Sequence, residues 1–168
     1  SKPQEEYFLI NVHRYENLKN KNRLKAIIQI LKCTNIKGIW PLHDNTLYHL
    51  KKYGLMNELK KIKNIKITPL ESYDKFLFLV NHSKYLIVDG GSIQEESLIF
   101  KKHCILLRKT TERPEGLKTG INFLTGLNVE KAKKIIEKIE KNELKITKFE
   151  NPYGKRGLSK KIVDILIK

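Results

Sequence analysis

The chain is poor in methionine, cysteine and acidic residues, and each scarcity narrows the class of protein that it can belong to. Its two cysteines, Cys33 and Cys104, have no spacing typical of metal ligands, and no histidine lies in such a pattern with them. We therefore expect reduced thiols, no metal site and a cytoplasmic location. No apolar run is long enough to span a membrane and no signal-peptide pattern opens the chain, so we expect no membrane association.

The chain also lacks an initiator methionine, since it begins Ser-Lys-Pro and its one methionine is Met56. A strand-like run, YFLINV, follows almost at once. We interpret this start as that of an excised domain or a processed fragment, and we expect a partner domain upstream. The 168 residues themselves suit one domain with a core of its own.

Basic residues are abundant, with 34 Lys and Arg against 18 Asp and Glu and a formal net charge of +16. An excess of this size raises the question of nucleic-acid binding. The lysines, however, are spread over every predicted helix, opposite its apolar stripe, and aromatic residues do not alternate with them as on a base-stacking surface. We therefore interpret them as a solvated surface that attracts anionic ligands, and we expect no nucleic-acid partner.

Apolar runs of strand length alternate with stretches of helical period. The runs cover residues 7–12, 37–41, 65–68, 85–88, 104–107 and 121–125. Apolar stripes with helical spacing comprise Leu24, Ile27, Ile28 and Leu31, then Ile135, Ile136 and Ile139, and finally Leu158, Ile162, Ile165 and Leu166. Further helices are predicted over 45–61, with a break at Gly54, and over 72–82, with a cap at Ser72. The alternation predicts an α/β fold with a Rossmann-like parallel sheet and helices on both faces.

The carboxyl ends of the strands are the expected binding edge of such a sheet. The stretch VDGGSIQEES, residues 88–97, joins a strand to a helix there. Its glycines would let a diphosphate approach the free backbone N–H groups of the turn. Ser92-Ile-Gln-Glu95 also matches a capping box, and both interpretations can hold together because a cap would order the turn.

Six motifs occupy strand ends or the approach to the last helix, in the order HRYEN (13–17), PLHDN (41–45), PLESYDKF (69–76), DGGSIQEE (89–96), RKTTERPEG (108–116) and NPYGKRG (151–157). The series covers nearly the whole chain and resembles the carboxyl-terminal half of the UDP-N-acetylglucosamine 2-epimerase family. The resemblance implies that residues 1–168 are the nucleotide-binding domain of a GT-B type two-domain protein, and that its amino-terminal domain is absent from this chain. The implied partners are a UDP-sugar and that missing domain, and a homodimer of the full-length protein stays open.

The activity implied by the resemblance interconverts UDP-GlcNAc and UDP-ManNAc. UDP is eliminated and added back through a 2-acetamidoglucal, with no cofactor. Carboxylates of the amino-terminal half are expected to carry out much of the proton transfer, so we expect this chain alone to be inactive. His43 and Asn45 resemble the non-hydrolysing group, although a helix cap at Asp44 or Asn45 explains part of that pattern. The alternatives are a hydrolysing epimerase that releases UDP and ManNAc, and a GT-B glycosyltransferase that acts on another UDP-sugar.

Individual roles also follow from the resemblance. His13 matches the active-site histidine. The expected substrate-binding residues are Glu71, Phe76, Gly90, Gly91, Ser92, Glu96 and Arg113, in which Phe76 packs on uracil, Glu96 binds the ribose hydroxyls and the turn at 90–92 holds the diphosphate. Simple core packing for Phe76 and an ordinary first-turn acid for Glu96 are the structural alternatives. The chain departs from the usual Asp-Ser-Gly-Gly order, because it has Asp89-Gly90-Gly91-Ser92.

Overall fold

The structure is a computed structural model that describes residues 5–154 and 157–167. Its strands are β1 (Tyr7–Asn11), β2 (Lys37–Pro41), β3 (Ile65–Thr68), β4 (Tyr85–Val88), β5 (His103–Leu106) and β6 (Asn122–Leu124). Its helices are α1 (Tyr15–Leu18), α2 (Lys21–Leu31), α3 (Asp44–Lys52), α4 (Met56–Lys60), α5 (Tyr73–His82), α6 (Ile93–Ile99), α7 (Pro114–Leu117), α8 (Val129–Glu140) and α9 (Leu158–Leu166). The six predicted strands are confirmed, because each lies within two residues of its expected ends.

The strands form one parallel sheet in the order β3-β2-β1-β4-β5-β6. Parallel pairing places Leu9 of β1 between Ile39 of β2 and Leu86 of β4. This arrangement confirms the predicted Rossmann-like α/β fold. The chain order reverses between β1 and β4, and in open parallel sheets that switch point, at the carboxyl ends of the strands, is where ligands bind.

Alternate side chains of the central strands face two separate apolar clusters. Phe8 and Ile10 of β1 pack into the larger cluster together with α2, α3 and α8. Leu9, between them, packs into the smaller cluster, which includes Val80 of α5 and Ile93 of α6. Because successive strand residues point to opposite faces, both faces of the sheet are buried, which explains the continuous apolar runs in the sequence.

The helices agree with the sequence-based prediction except at the start of α5, at the start of α3 and on the apolar face of α9. The stripe of α2 is buried, and the break at Gly54 coincides with a positive φ of 70° that favours glycine. Ser72 occupies the cap position of α5 but makes no cap hydrogen bond. Its hydroxyl interacts with the Asp74 side chain and lowers the pKa of that carboxyl. Asp44 and Asn45 lie inside α3, whose cap position is His43. The apolar residues Ile162, Ile165 and Leu166 of α9 are exposed rather than buried.

Two expectations about the chain as a whole have simple outcomes. None of the helices in residues 5–154 and 157–167 is long and apolar enough to cross a membrane. Cys104 is buried in the core and Cys33 is partly buried, and both are free thiols.

Of the last motif, Lys155 and Arg156 lie outside the described residues, as do Ser1 to Gln4 at the start.

A carboxylate anchors α8 to the amino ends of the strands, opposite the switch point. Glu140, the last residue of α8, accepts a hydrogen bond from the buried Tyr85 hydroxyl at 2.7 Å. It also accepts from the Asn35 side chain at 2.8 Å and from the Asn35 backbone N–H at 3.2 Å. Burial and the nearby Glu140 carboxylate both raise the pKa of Tyr85, so its hydroxyl remains a donor.

We predict that Glu140→Ala lowers the free energy of unfolding by about 2 kcal/mol, because the buried Tyr85 hydroxyl loses a charged acceptor. Urea unfolding measures the change. Glu137→Ala on the same helix is the matched control, since that side chain makes none of these bonds, and it should change the stability by less than about 0.5 kcal/mol. Equal effects of the two substitutions would contradict an anchoring role for Glu140.

Candidate functional site

A cleft with a cavity of about 270 Å³ lies at the switch point, between the carboxyl ends of β1 and β4. Most of the predicted site residues line it, namely His13, Glu71, Phe76, Gly90, Gly91, Ser92 and Glu96. The other lining residues are Asn11, Pro41, His43, Leu70, Tyr73 and Ile93. The structure therefore brings together predicted site residues that are up to 83 positions apart, from His13 to Glu96. The role predicted for each of them stays a prediction.

Asp89 ties the two strands at the cleft together. Its side chain is fully buried at the end of β4. One carboxylate oxygen accepts the backbone N–H of His13 at 3.0 Å, and the other accepts that of Arg14 at 3.0 Å and the Asn17 amide at 2.8 Å. These charge-assisted bonds fix the loop after β1 against the glycine turn after β4. We refer to this set of contacts as the Asp89 clamp.

The turn at residues 90–92 brings backbone close to its neighbours. A Cβ atom added to Gly90 would lie 3.2 Å from His13 Cε1, and one added to Gly91 would lie 2.9 Å from Arg113 Nη1. A serine at position 90, the usual family order, would therefore require the His13 ring to shift by a few tenths of an ångström. Glycine at this position lets the imidazole lie directly against the turn.

The predicted capping box at Ser92 is wrong. Ser92 has helical backbone angles (φ −57°, ψ −37°), so its hydroxyl is not placed to accept from the first turn and makes no cap bond. Glu95, the other half of the predicted box, instead accepts a hydrogen bond from Arg113 Nε. The first hydrogen bond of the turn is that of the Gln94 N–H to Gly91 O at 3.0 Å, so the preceding N–H groups have no intrahelical acceptor.

Two histidines from adjacent strand ends share one wall of the cleft. The rings of His13 and His43 are tilted, with centroids 5.3 Å apart. His13 Nδ1 lies 2.7 Å from Asn11 Oδ1, and in the tautomer that donates this hydrogen bond Nε2 is an acceptor. Burial, followed by the proximity of His13, lowers the pKa of His43, so we expect a neutral His43 ring at neutral pH.

The opposite wall combines an apolar surface with a buried carboxylate. Phe76 lines the cleft and also packs against the smaller core cluster, so the structural interpretation of this residue holds beside the functional one. Glu96 is only 8% exposed, and its Oε1 accepts a hydrogen bond from the Tyr73 hydroxyl at 2.8 Å. Glu71 is partly exposed at the rim, where it lies 3.9 Å from Lys75.

Arg113 lies beside Gly91 and belongs to a network of charges around Glu112. The Glu112 carboxylate lies 2.7 Å from Arg108, 2.8 Å from Arg113 and 3.9 Å from Arg14. These contacts, led by the hydrogen bond from Arg108, lower the pKa of Glu112 to about 2. The Tyr153 hydroxyl, from the NPYG segment, holds the Arg113 backbone by donating to its carbonyl oxygen at 3.1 Å.

Sequence reasoning missed the contribution of Tyr73 and Asn11 to the cleft. Tyr73 stands three positions before Phe76 in a predicted helix, so helical period alone could have placed both on the same face. Asn11 ends β1, and nothing in its sequence context distinguishes it. Within the described ranges no group of three or more His, Cys, Asp or Glu side chains is placed to hold a metal ion.

The strand order and the position of the cleft define the class of protein, a Rossmann-like α/β domain of the GT-B type. The family model for UDP-N-acetylglucosamine 2-epimerase matches residues 1–167, and the chain belongs to that family. The predicted resemblance is thus confirmed.

Similar proteins agree in sequence and in structure. The UDP-N-acetylglucosamine 2-epimerase of Methanocaldococcus jannaschii is 39% identical over 166 residues, and that of Campylobacter jejuni is 32% identical over 170 residues. Each match covers 96% of this chain, but only 44% and 43% of the respective relative. A structure of the M. jannaschii enzyme in complex with UDP-GlcNAc and UDP has a TM-score of 0.85 at 38% identity and matches 97% of this chain and 45% of its own. A Neisseria meningitidis enzyme bound to UDP-GlcNAc has a TM-score of 0.74 at 27% identity, over 99% of this chain and 45% of its own. The chain therefore spans a little under half of the relatives that it matches.

We predict that Glu112→Gln lowers the free energy of unfolding by about 1 kcal/mol at about pH 7. The effect is modest because this carboxylate is nearly half exposed, so that solvent screens its ion pairs. The folded pKa of about 2 lies below the ordinary 4.5, so the contribution is present above pH 4.5 and is lost as the pH falls towards 2. Urea unfolding of both proteins across this range should show the difference shrinking with acid.

Glu58→Gln is the matched control, because Glu58 forms a single surface ion pair with Lys32 at 4.0 Å. Its effect should be close to zero at every pH. A difference between Glu112→Gln and the parent that grows as the pH falls would show that the network does not stabilise the folded chain.

Proposed function

We propose that this chain is the UDP-binding, carboxyl-terminal domain of a UDP-N-acetylglucosamine 2-epimerase, and that it binds UDP-GlcNAc and UDP-ManNAc. The observation that carries the proposal is the composition of the switch-point cleft. A glycine turn, an apolar wall and a buried carboxylate surround one cavity of about 270 Å³, and these are the groups that a diphosphate, a base and a ribose require.

The three walls suggest an orientation for the nucleotide. The uracil packs against Phe76, and Glu71 is close enough to the same wall for its backbone to contact the base. The ribose hydroxyls donate to Glu96, and the diphosphate accepts from the N–H groups of Gly90, Gly91 and Ser92. This direction places the sugar towards His13 and His43, at the open end of β1 and β2.

Arg113 supplies positive charge next to the turn. Its guanidinium donates hydrogen bonds to Glu95 and Glu112. A diphosphate that enters beside Gly91 competes with these carboxylates for the Arg113 donors, and Arg108 and Arg14 remain to neutralise Glu112. A guanidinium suits this exchange because it stays charged and offers several donors in one plane.

The proposed reaction removes the C2 proton of the sugar as the bond from C1 to the UDP oxygen breaks, which gives 2-acetamidoglucal and UDP. The reverse addition of UDP to C1, with protonation of C2 from the other face, gives the epimer. His13, whose Nε2 is free to accept a proton, contacts the phosphates or the reacting sugar. Because one imidazole cannot serve both faces of the ring, the remaining acid and base groups belong to a partner domain.

Two observations support a partner domain. The chain matches only 44% of the length of its M. jannaschii relative, which leaves room for a second domain of similar size. In addition, the apolar side chains of Ile165, Leu166 and Ile167 in and after α9 are 72–77% exposed, as expected for a helix that packs against another domain. We further propose the non-hydrolysing subclass, on the PLHDN stretch, whose His43 lies beside His13.

We predict that UDP binds this chain and that Glu96→Ala weakens the binding by about tenfold or more. Each charge-assisted hydrogen bond to the ribose contributes about 1.5–3 kcal/mol, and about 1.4 kcal/mol corresponds to tenfold. Isothermal titration calorimetry with UDP and with 2′-deoxy-UDP measures both the affinity and its dependence on the ribose. Glu58→Ala, on the distant α4, is the matched control and should bind UDP as the parent does.

Equal affinity of the parent for UDP and 2′-deoxy-UDP would show that Glu96 does not bind the ribose 2′-hydroxyl. A parent chain that binds no UDP at all would argue against the whole assignment of the cleft.

We predict that residues 1–168 alone catalyse no exchange of the C2 proton of UDP-GlcNAc in deuterated water, and that adding the amino-terminal half restores it. With both halves present, His13→Ala should lower the exchange rate more than it lowers UDP affinity, because His13 acts on the reacting end of the ligand. The matched control is His82→Ala, at the end of α5 and away from the cleft.

The products of the restored protein separate the subclasses, since UDP-ManNAc indicates the non-hydrolysing reaction and free UDP with ManNAc the hydrolysing one. Exchange catalysed by residues 1–168 alone would show that the required acids and bases lie in this chain.

A further inference from the structure

Tyr73 occupies an unusual position for a large aromatic side chain. It is the first residue of α5, and it is 65% exposed at the rim of the cleft. Core packing therefore contributes little to holding its ring. The contact that places it is the hydrogen bond from its hydroxyl to Oε1 of Glu96 at 2.8 Å, across 23 positions of the chain.

Glu96 needs such a partner because it is a carboxylate with little access to water. The residue is 8% exposed, and Tyr73 is the one hydrogen-bond donor to its side chain among the described residues. The guanidinium of Arg113 is bound by Glu95, the residue before Glu96 on α6, and not by Glu96. A buried charged group with one donor depends on that donor for its orientation.

We infer that Tyr73 is a positioning residue that orients Glu96 towards the ribose of the bound nucleotide and so sets the preference for ribose over deoxyribose. This inference rests on the proposed function, because it assumes that Glu96 binds the ribose. Tyr73 itself touches the carboxylate rather than the reacting atoms.

The hydrogen-bonding capacity of a carboxylate favours positioning over competition. Two oxygens offer about four acceptor positions. The phenol uses one position on Oε1, which leaves the rest for the two hydroxyls of a ribose. The hydroxyl of Tyr73 also stays a donor at neutral pH, because its hydrogen bond to Glu96 raises the pKa of Tyr73. All three donors can therefore be satisfied at once.

The selectivity of the site follows from this geometry. With the phenol bound, the carboxylate is fixed and its free acceptor positions face the ligand, so a missing 2′-hydroxyl leaves one of them unpaired. Without the phenol the carboxylate can rotate, and it adapts to either sugar at the cost of weaker binding to the ribose.

The test is Tyr73→Phe in the full 168-residue chain, which removes the hydroxyl and keeps the ring. We expect UDP affinity to fall about three- to tenfold, in line with the loss of one hydrogen bond to a charged group. Binding of 2′-deoxy-UDP should change less, so the ratio of the two dissociation constants should move towards unity. Calorimetry gives both constants, and thermal unfolding should show unchanged stability.

Two further proteins separate positioning from other roles. In a Glu96→Ala background, Tyr73→Phe should have no additional effect on UDP affinity, because the residue acts through Glu96. Tyr48→Phe is the matched control, since Tyr48 is 57% exposed on α3 and lies outside the cleft. It should bind both nucleotides as the parent does.

The outcomes distinguish this inference from the proposed function. If Glu96→Ala weakens UDP binding but Tyr73→Phe does not, or strengthens it, Tyr73 does not position the carboxylate and the ribose site stands. An equal loss from Tyr73→Phe with and without Glu96 would also overturn the inference, because Tyr73 would then act independently. If Glu96→Ala leaves the affinity unchanged, the ribose site itself is wrong and the inference falls with it.

Discussion

The geometry of the cleft depends on the Asp89 clamp. A carboxylate with no exposure to solvent is stable in the fold only when hydrogen bonds replace its hydration, and here the loop after β1 supplies them. The same bonds bring His13 to the glycine turn. Beyond the end of β4 the Asp89 N–H still donates to the Asn11 carbonyl at 3.0 Å, and the Asp89 side chain extends this connection to the backbone of His13 and Arg14. One side chain therefore fixes the loop after β1 against the turn after β4.

The net charge of the chain is high, yet the charges beside the glycine turn are locally balanced. The overall excess of Lys and Arg is spread over the helices, whereas Arg14, Arg108 and Arg113 near the turn face Glu16, Glu95 and Glu112. The residues that attract an anion over a long range are therefore not the residues that lie beside the turn. Surface lysines raise the local concentration of an anionic ligand in a salt-dependent way. Under the proposed function, Arg113 binds the diphosphate only after exchange with Glu95 and Glu112.

The sequence was sufficient to predict the fold, because strands buried on both faces leave continuous apolar runs, such as Tyr85–Val88, that glycines and polar residues end sharply. The strand ends also indicated His13, His43 and the turn at residues 90–92 of the cleft, whereas Glu71, Phe76 and Glu96 were indicated by the family resemblance. The sequence could not predict contacts decided by distances between side chains remote in the chain. Glu95 illustrates this limit. The local sequence predicts a capping box, but in the structure Glu95 accepts a hydrogen bond from Arg113, 18 positions later. Tyr73 and Glu96 are the converse case, because no local pattern predicts the hydrogen bond that joins them across 23 positions.

The exposed apolar residues of α9 have a consequence for the helix itself. A segment of nine residues is too short to be a stable helix in water on propensity alone, because nucleation is costly and few hydrogen bonds follow it. Helices of this length normally derive their stability from an apolar face that is covered, and Ile162, Val163 and Ile165 are about half to three-quarters exposed. The coil–helix equilibrium of residues 158–166 is therefore coupled to whatever surface covers that face. The helix content of residues 158–166 therefore indicates whether the apolar face of α9 is covered.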